Sequence, residues 1–102
     1  MKKLIEVVNE NGVPFNVRVL EKGEAYGLND CLTHDDDEPL IEFYDGRYCN
    51  EDFHIERGQF VARYYLETIL EHSGNLYLYN DIEDWQVSGK NIREIKKHFS
   101  QV

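Results

Sequence analysis

Gly58 to Gly74 reads GQFVARYYLETILEHSG, and the period assigned to these seventeen residues decides the fold. At roughly 100° per residue, Val61, Ala62, Tyr65, Leu66, Ile69 and Leu70 fall on one continuous arc. Arg63, Glu67 and Glu71 line the opposite side at i, i+4 spacing, as on the wet face of an amphipathic helix. His72 then sits in the last turn and Gly74 is placed to cap it. The stretch therefore predicts a long helix. Phe60 and Tyr64 fall on its charged side, where aromatic rings beside Arg and carboxylates make an interface composition.

Upstream, the pattern is that of strands. KLIEVV (Lys3 to Val8) and PFNVRVL (Pro14 to Leu20) flank the turn NENG, with Gly12 available for positive φ. Phe15, Val17 and Val19 alternate with Asn16 and Arg18, so one face of the second strand is buried and the other wet. EAYGLNDCLTH (Glu24 to His34) and PLIEFYDGRY (Pro39 to Tyr48) read as a further pair joined by DDDE. In the latter, Ile41 and Phe43 oppose Leu40 and Tyr44, and a strand apolar on both faces belongs at the centre of a sheet.

Downstream, NLYLYND (Asn75 to Asp81) reads as a short strand. VSGKNIREIKKHF (Val87 to Phe99) reads as a helix with Ser88 as N-cap, Val87 and Ile92 as a hydrophobic staple, and Ile92, Ile95 and Phe99 buried. The expected architecture is α+β: an antiparallel sheet of about four to five strands packed against one long central helix and a C-terminal helix. At 102 residues, with 41% hydrophobic and 13% aromatic side chains, the expectation is one domain over residues 1–102.

Charge narrows the function classes. The net charge is −9. Residues 24–84 carry sixteen acidic groups against Arg47, Arg57 and Arg63 alone. Phosphate binding needs Lys and Arg to displace counterions, so direct binding of nucleic acid or of an anionic membrane is not expected. No apolar run reaches the roughly 20 residues that span a bilayer, and the start MKKLIEVV is too short and too broken by Glu6 to be a signal peptide. Two cysteines, Cys31 and Cys49, suit reduced thiols in a cytoplasmic protein.

The densest chemistry lies in CLTHDDDEP, Cys31 to Pro39. With Cys49 and His54, the residues Cys31 and His34 supply the ligand types of a structural zinc site, but as mixed Cys/His pairs at unusual spacing. Were Glu24–His34 and Pro39–Tyr48 paired strands, the two sulfurs would stand on the order of 23 Å apart at 3.3 Å per residue, too far for one metal or a disulfide. Consecutive Asp in extended chain point to opposite faces and cannot converge on one Ca²⁺ or Mg²⁺. Asp35, Asp36, Asp37 and Glu38 are therefore expected at a solvated turn.

Catalytic motifs of the P-loop, nucleophile-elbow or zincin kind do not occur. A nucleophile–base pair among Cys31, His34, Cys49 and His54 is the enzymatic alternative, metal- or thiol-dependent. The acidic pairs Glu42/Asp45 and Glu51/Asp52 are acid–base candidates, but twenty carboxylates generate such pairs by chance. Tyr44, Tyr48, Phe53, Phe60, Tyr64 and Tyr65 suit core packing first and a partner surface second.

YGLNDCLTHDDDEPLIEFYDGRY and GQFVARYYLETILEHSG together resemble small uncharacterised bacterial proteins, some from phage-like or plasmid-borne regions. The resemblance covers about residues 25–88 and implies a bacterial cytoplasmic protein, with an accessory or inhibitor role in a mobile element. It transfers no site residue. The reading favours a non-enzymatic acidic module without cofactor or metal. Its partner would be a basic protein, met through Asp35, Asp36, Asp37 and Glu38 or through Phe60 and Tyr64. Mimicry of nucleic acid is the sharper form of the same idea. A homodimer through an uncovered sheet edge is compatible with the pattern.

Overall fold

The structure is a computed structural model that describes residues 3–27, 30–48, 57–78 and 85–100. Strands β1 (Leu4–Val8) and β2 (Pro14–Leu20) form the expected antiparallel hairpin, with Leu4 opposite Arg18 and Val8 opposite Pro14. Asn9 holds the turn. Its side-chain oxygen accepts the backbone N–H of Asn11 and of Val13, both at 2.9 Å, and Gly12 takes φ +80°.

Two short strands, β3 (Ala25–Tyr26) and β4 (Leu32–Thr33), pair with each other as a small ribbon. Strand β5 (Leu40–Asp45) is buried along its whole length. It lies inside a four-stranded sheet of order β1-β2-β5-β6, where β6 is Gln59–Tyr65. The central placement of Leu40–Asp45 is as its two apolar faces imply. The expected pairing of Glu24–His34 with Pro39–Tyr48 is not observed, because β5 is paired on one side by β2 and on the other by β6. The separation of the cysteines derived from that pairing falls with it.

The long central helix is the larger correction. Gln59–Tyr65 is strand, and only Leu66–Glu71 is helical (α1). A central strand needs a hydrogen-bonding neighbour on each side, and a helix at 59–65 would leave the backbone groups along one side of β5 unpaired. The helical signature arises from a β-bulge. Phe43 pairs with Ala62 and Tyr44 with Phe60, so Val61 is the extra residue. Val61 is buried and Ala62 packs beside it on the same core, which gives two adjacent apolar residues where a regular strand would alternate. Gly58 enters the strand at φ +99°, and a Cβ there would lie 2.2 Å from the carbonyl oxygen of Asp45. Only glycine fits.

The remaining elements are β7 (Leu76–Tyr77), paired with β8 (Gln86–Val87), and helix α2 (Gly89–Phe99). Ser88 caps α2 in a capping box with Asn91, whose amide also donates to the Val8 carbonyl at 3.1 Å and so ties the helix to β1. Ile92, Ile95 and Phe99 are buried as their spacing predicts. The observed architecture is mostly antiparallel sheet, with two small ribbons and two short helices among the described residues.

One face of the sheet builds the core. Phe15, Val17, Ile41 and Phe43 meet Leu66, Ile69, Leu78, Val87 and the α2 stripe. Phe43 packs edge-on against Phe15 at 6.5 Å and against Tyr64 at 6.0 Å. Among the described residues no helix is long and apolar enough to cross a membrane.

Candidate functional site

The other face of the sheet carries charge. Alternation along β5 turns Glu42 and Tyr44 away from the core, and the register sets Glu42 beside Arg18 of β2 and Arg63 of β6. Glu42 has no exposed surface. Arg18 Nε donates to its Oε1 at 2.5 Å, and Tyr44 OH donates to the same oxygen at 2.9 Å. Arg63 donates to Oε2 through Nη2 at 2.7 Å and Nε at 3.0 Å. Burial pushes this carboxyl upward, but the two guanidiniums outweigh it and hold it below the ordinary glutamate range. Burial and the adjacent Glu42 charge push Tyr44 up to about 12, so the phenol stays a donor.

Arg63 is also held by aromatic rings. Its guanidinium lies 4.5 Å from the Tyr26 centroid and 4.8 Å from that of Phe60. The small ribbon thus covers part of the outer face, and Arg18 donates to the Ala25 carbonyl at 3.2 Å.

Beside this cluster the acidic turn crosses the end of the sheet. Asp35, Asp36, Asp37 and Glu38 are all exposed. The turn is shaped from within: Glu38 N–H donates to Asp36 at 3.0 Å, and the buried His34 ring meets the Glu38 carbonyl at 2.6 Å. The Leu66 N–H donates to the Pro39 carbonyl at 2.8 Å, which fixes the start of α1 to the end of the turn. Glu38 hydrogen-bonds Glu67 on α1 and feels Asp36 and Glu71 as well, and its carboxyl is held above the ordinary range. The carboxylates of Asp36, Glu67 and Glu71 around it make this a crowded negative surface.

Between the turn, the ribbon and β6 lies a groove of about 610 Å³, a size typical of ligand sites at ~300–1,000 Å³. Asp35, Asp36, Tyr26, Arg63, Tyr65 and Thr68 are among the residues that line it. Tyr65 OH approaches Asp36 at 3.5 Å.

The structure sorts the residues singled out in the sequence. Phe60 is 40% exposed on the outer face, whereas Tyr64 points to the core face and packs on Phe43. The bulge at Val61 separates them, so the single surface drawn from their helical spacing does not exist. Tyr64 still reaches the groove and joins the acidic turn there. Tyr65, assigned by helical phase to the buried arc, is 45% exposed. Leu70, on the same arc, is exposed too. The groove's ring at Tyr65 and the ion cluster around Glu42 were missed because both depend on which strand neighbours β5.

Cys31 is an exposed thiol, while His34 is buried against the Glu38 carbonyl. Cys49 and His54, as well as Phe53, Glu51 and Asp52, lie outside the described residues. Among the described residues no three His, Cys, Asp or Glu side chains gather to hold a metal. Glu42 and Asp45 face opposite sides of the sheet, so they do not form an acid–base pair. No protein-family model, no curated protein and no solved structure matches the chain.

Proposed function

We propose that this protein acts by binding the basic surface of another protein, through the acidic turn and the groove that it walls. One observation carries this reading. Two exposed carboxylates of the acidic turn, Asp35 and Asp36, and an exposed aromatic side chain, Tyr65, line a single concavity in a chain of net charge −9. Negative charge steers a basic partner to the site, and the aromatic side chain supplies contact area once water is displaced.

The test is capture of partners from the native host at low and moderate salt. A basic protein is expected to be retained by the wild type and lost when Asp35, Asp36 and Asp37 are all changed to Asn. Retention should fall on the order of tenfold as salt rises, since exposed charges are screened within a Debye length of ~10 Å at 0.1 M. Capture of a nucleic-acid-binding protein through its DNA or RNA surface would make the mode one of mimicry. Salt-insensitive capture that survives the three Asn changes and disappears with Phe60→Ser would refute the acidic reading.

A further inference from the structure

We infer that the groove takes an arginine side chain of the partner, its guanidinium on Asp35 and Asp36 and its stem along Tyr65 and Thr68. This deepens the protein-binding reading and rests on it. The charge balance around the groove supports a cationic occupant. The triad Arg18–Glu42–Arg63 carries a net +1 and Lys22 another, against Asp35, Asp36, Asp37, Glu38, Glu67 and Glu71.

The choice of arginine follows from how the molecule already houses one. Arg63, in the same groove, lies near two aromatic rings and bonds one carboxylate through two nitrogens. Asp36 and Tyr65 offer a carboxylate and an aromatic side chain side by side, the Tyr65 hydroxyl 3.5 Å from Asp36, and both side chains are exposed. A planar guanidinium can bridge two carboxylates and still lie against a ring. A lysine ammonium is a strongly hydrated point charge that gains less from either.

The experiment titrates the full chain with two octapeptides, (Arg-Gly)4 and (Lys-Gly)4, and follows the backbone amides by NMR. The arginine peptide is expected to bind at least about fivefold more tightly. It should shift the amides of Tyr26, Thr33, Tyr65 and Thr68 as well as those of the turn. Thr68→Trp, at an exposed helix position, fills the groove without touching a charge. It should weaken the arginine peptide about tenfold, leave the lysine peptide nearly unchanged and preserve the unfolding midpoint. Thr33→Trp fills the groove from the ribbon and gives the same result if the first variant misfolds. Equal binding of the two peptides, insensitive to both variants and with shifts confined to residues 35–38, would overturn the arginine pocket while leaving the acidic docking surface standing. Failure of both peptides to bind the wild type at low salt would remove the docking surface too.

Discussion

Glu42 and Asp45 are both fully buried carboxylates of β5, yet they lie on opposite faces of the sheet and are held in different ways. Glu42 on the outer face is bonded by residues from β2 and β6, far away in sequence. Asp45, on the core side, is held by Arg47 two residues on, with Nη2 at 2.7 Å, and by Trp85 Nε1 at 2.9 Å. The first joins three strands beneath the groove. The second closes the end of one strand and anchors an indole over the core. The guanidiniums that balance the charge thus come from neighbouring strands for Glu42 and from two residues along the chain for Asp45. Each carboxylate also has a neutral donor of the other kind, Tyr44 for Glu42 and Trp85 for Asp45.

The largest expected effect separates these two. Removing Glu42 leaves two guanidiniums facing each other with little access to water, because the side chains of Arg18 and Arg63 are only 14% and 29% exposed. Glu42→Ala should therefore cost about 3–5 kcal/mol in chemical denaturation. Asp45→Asn should cost less, about 1–3 kcal/mol. Arg47 is 36% exposed and can turn to solvent, and the amide oxygen can still accept from Trp85. Equal losses would mean that the topological placement of Glu42 has no energetic consequence.

Acid sharpens the same contrast. Both carboxyls are lowered from ordinary values of 4.5 and 3.8, burial being outweighed by Arg18 and Arg63 for one and by Arg47 and Trp85 for the other. As pH falls, the unfolded chain takes up these protons first, so the stability they contribute is complete above about pH 4.5 and lost as pH drops through the folded values. Glu38 has the opposite sign. Its carboxyl is raised by the hydrogen bond to Glu67, so the folded chain takes that proton first and acidification stabilises it. The urea midpoint is expected to rise slightly as pH falls toward about 4.5 and to collapse below about pH 4. Glu38→Gln should abolish the rise and leave the collapse. A monotonic fall from neutral pH in the wild type would contradict the sign given to Glu38.

How much of this was legible follows the same division between local and distant. The hairpin, its Gly12 turn and the capped C-terminal helix were readable because Asn9, Gly12, Ser88 and the Ile92–Ile95–Phe99 spacing act within a few residues. The centrality of β5 was readable from its two apolar faces. The strand at Gln59–Tyr65 was not, since the bulge at Val61 writes two adjacent apolar residues into the sequence, as the wall of a helix does. Its true partner lies on β5, and no local signal names it. The exposed acidic turn was visible as four adjacent carboxylates. The groove beside it was not, because Tyr26, Arg63 and Tyr65 meet the turn only after β6 is laid against β5.

The smallest effect tests whether the acidic turn is a structural element or a free surface. Lys22 Nζ lies 2.9 Å from Asp37, but the two side chains are 60% and 88% exposed. Such a pair gains little Coulomb energy in water and loses the freedom of two mobile side chains, so Lys22→Ala should change stability by less than about 0.5 kcal/mol. The same change removes a positive charge from the acidic turn at Asp37. It should therefore tighten binding of the arginine peptide about twofold at low salt and leave it unchanged at high salt, where the field of Lys22 is screened. A clear loss of stability with no gain in binding would show that the ion pair holds the turn in place, and that the turn's charge serves the fold more than any partner.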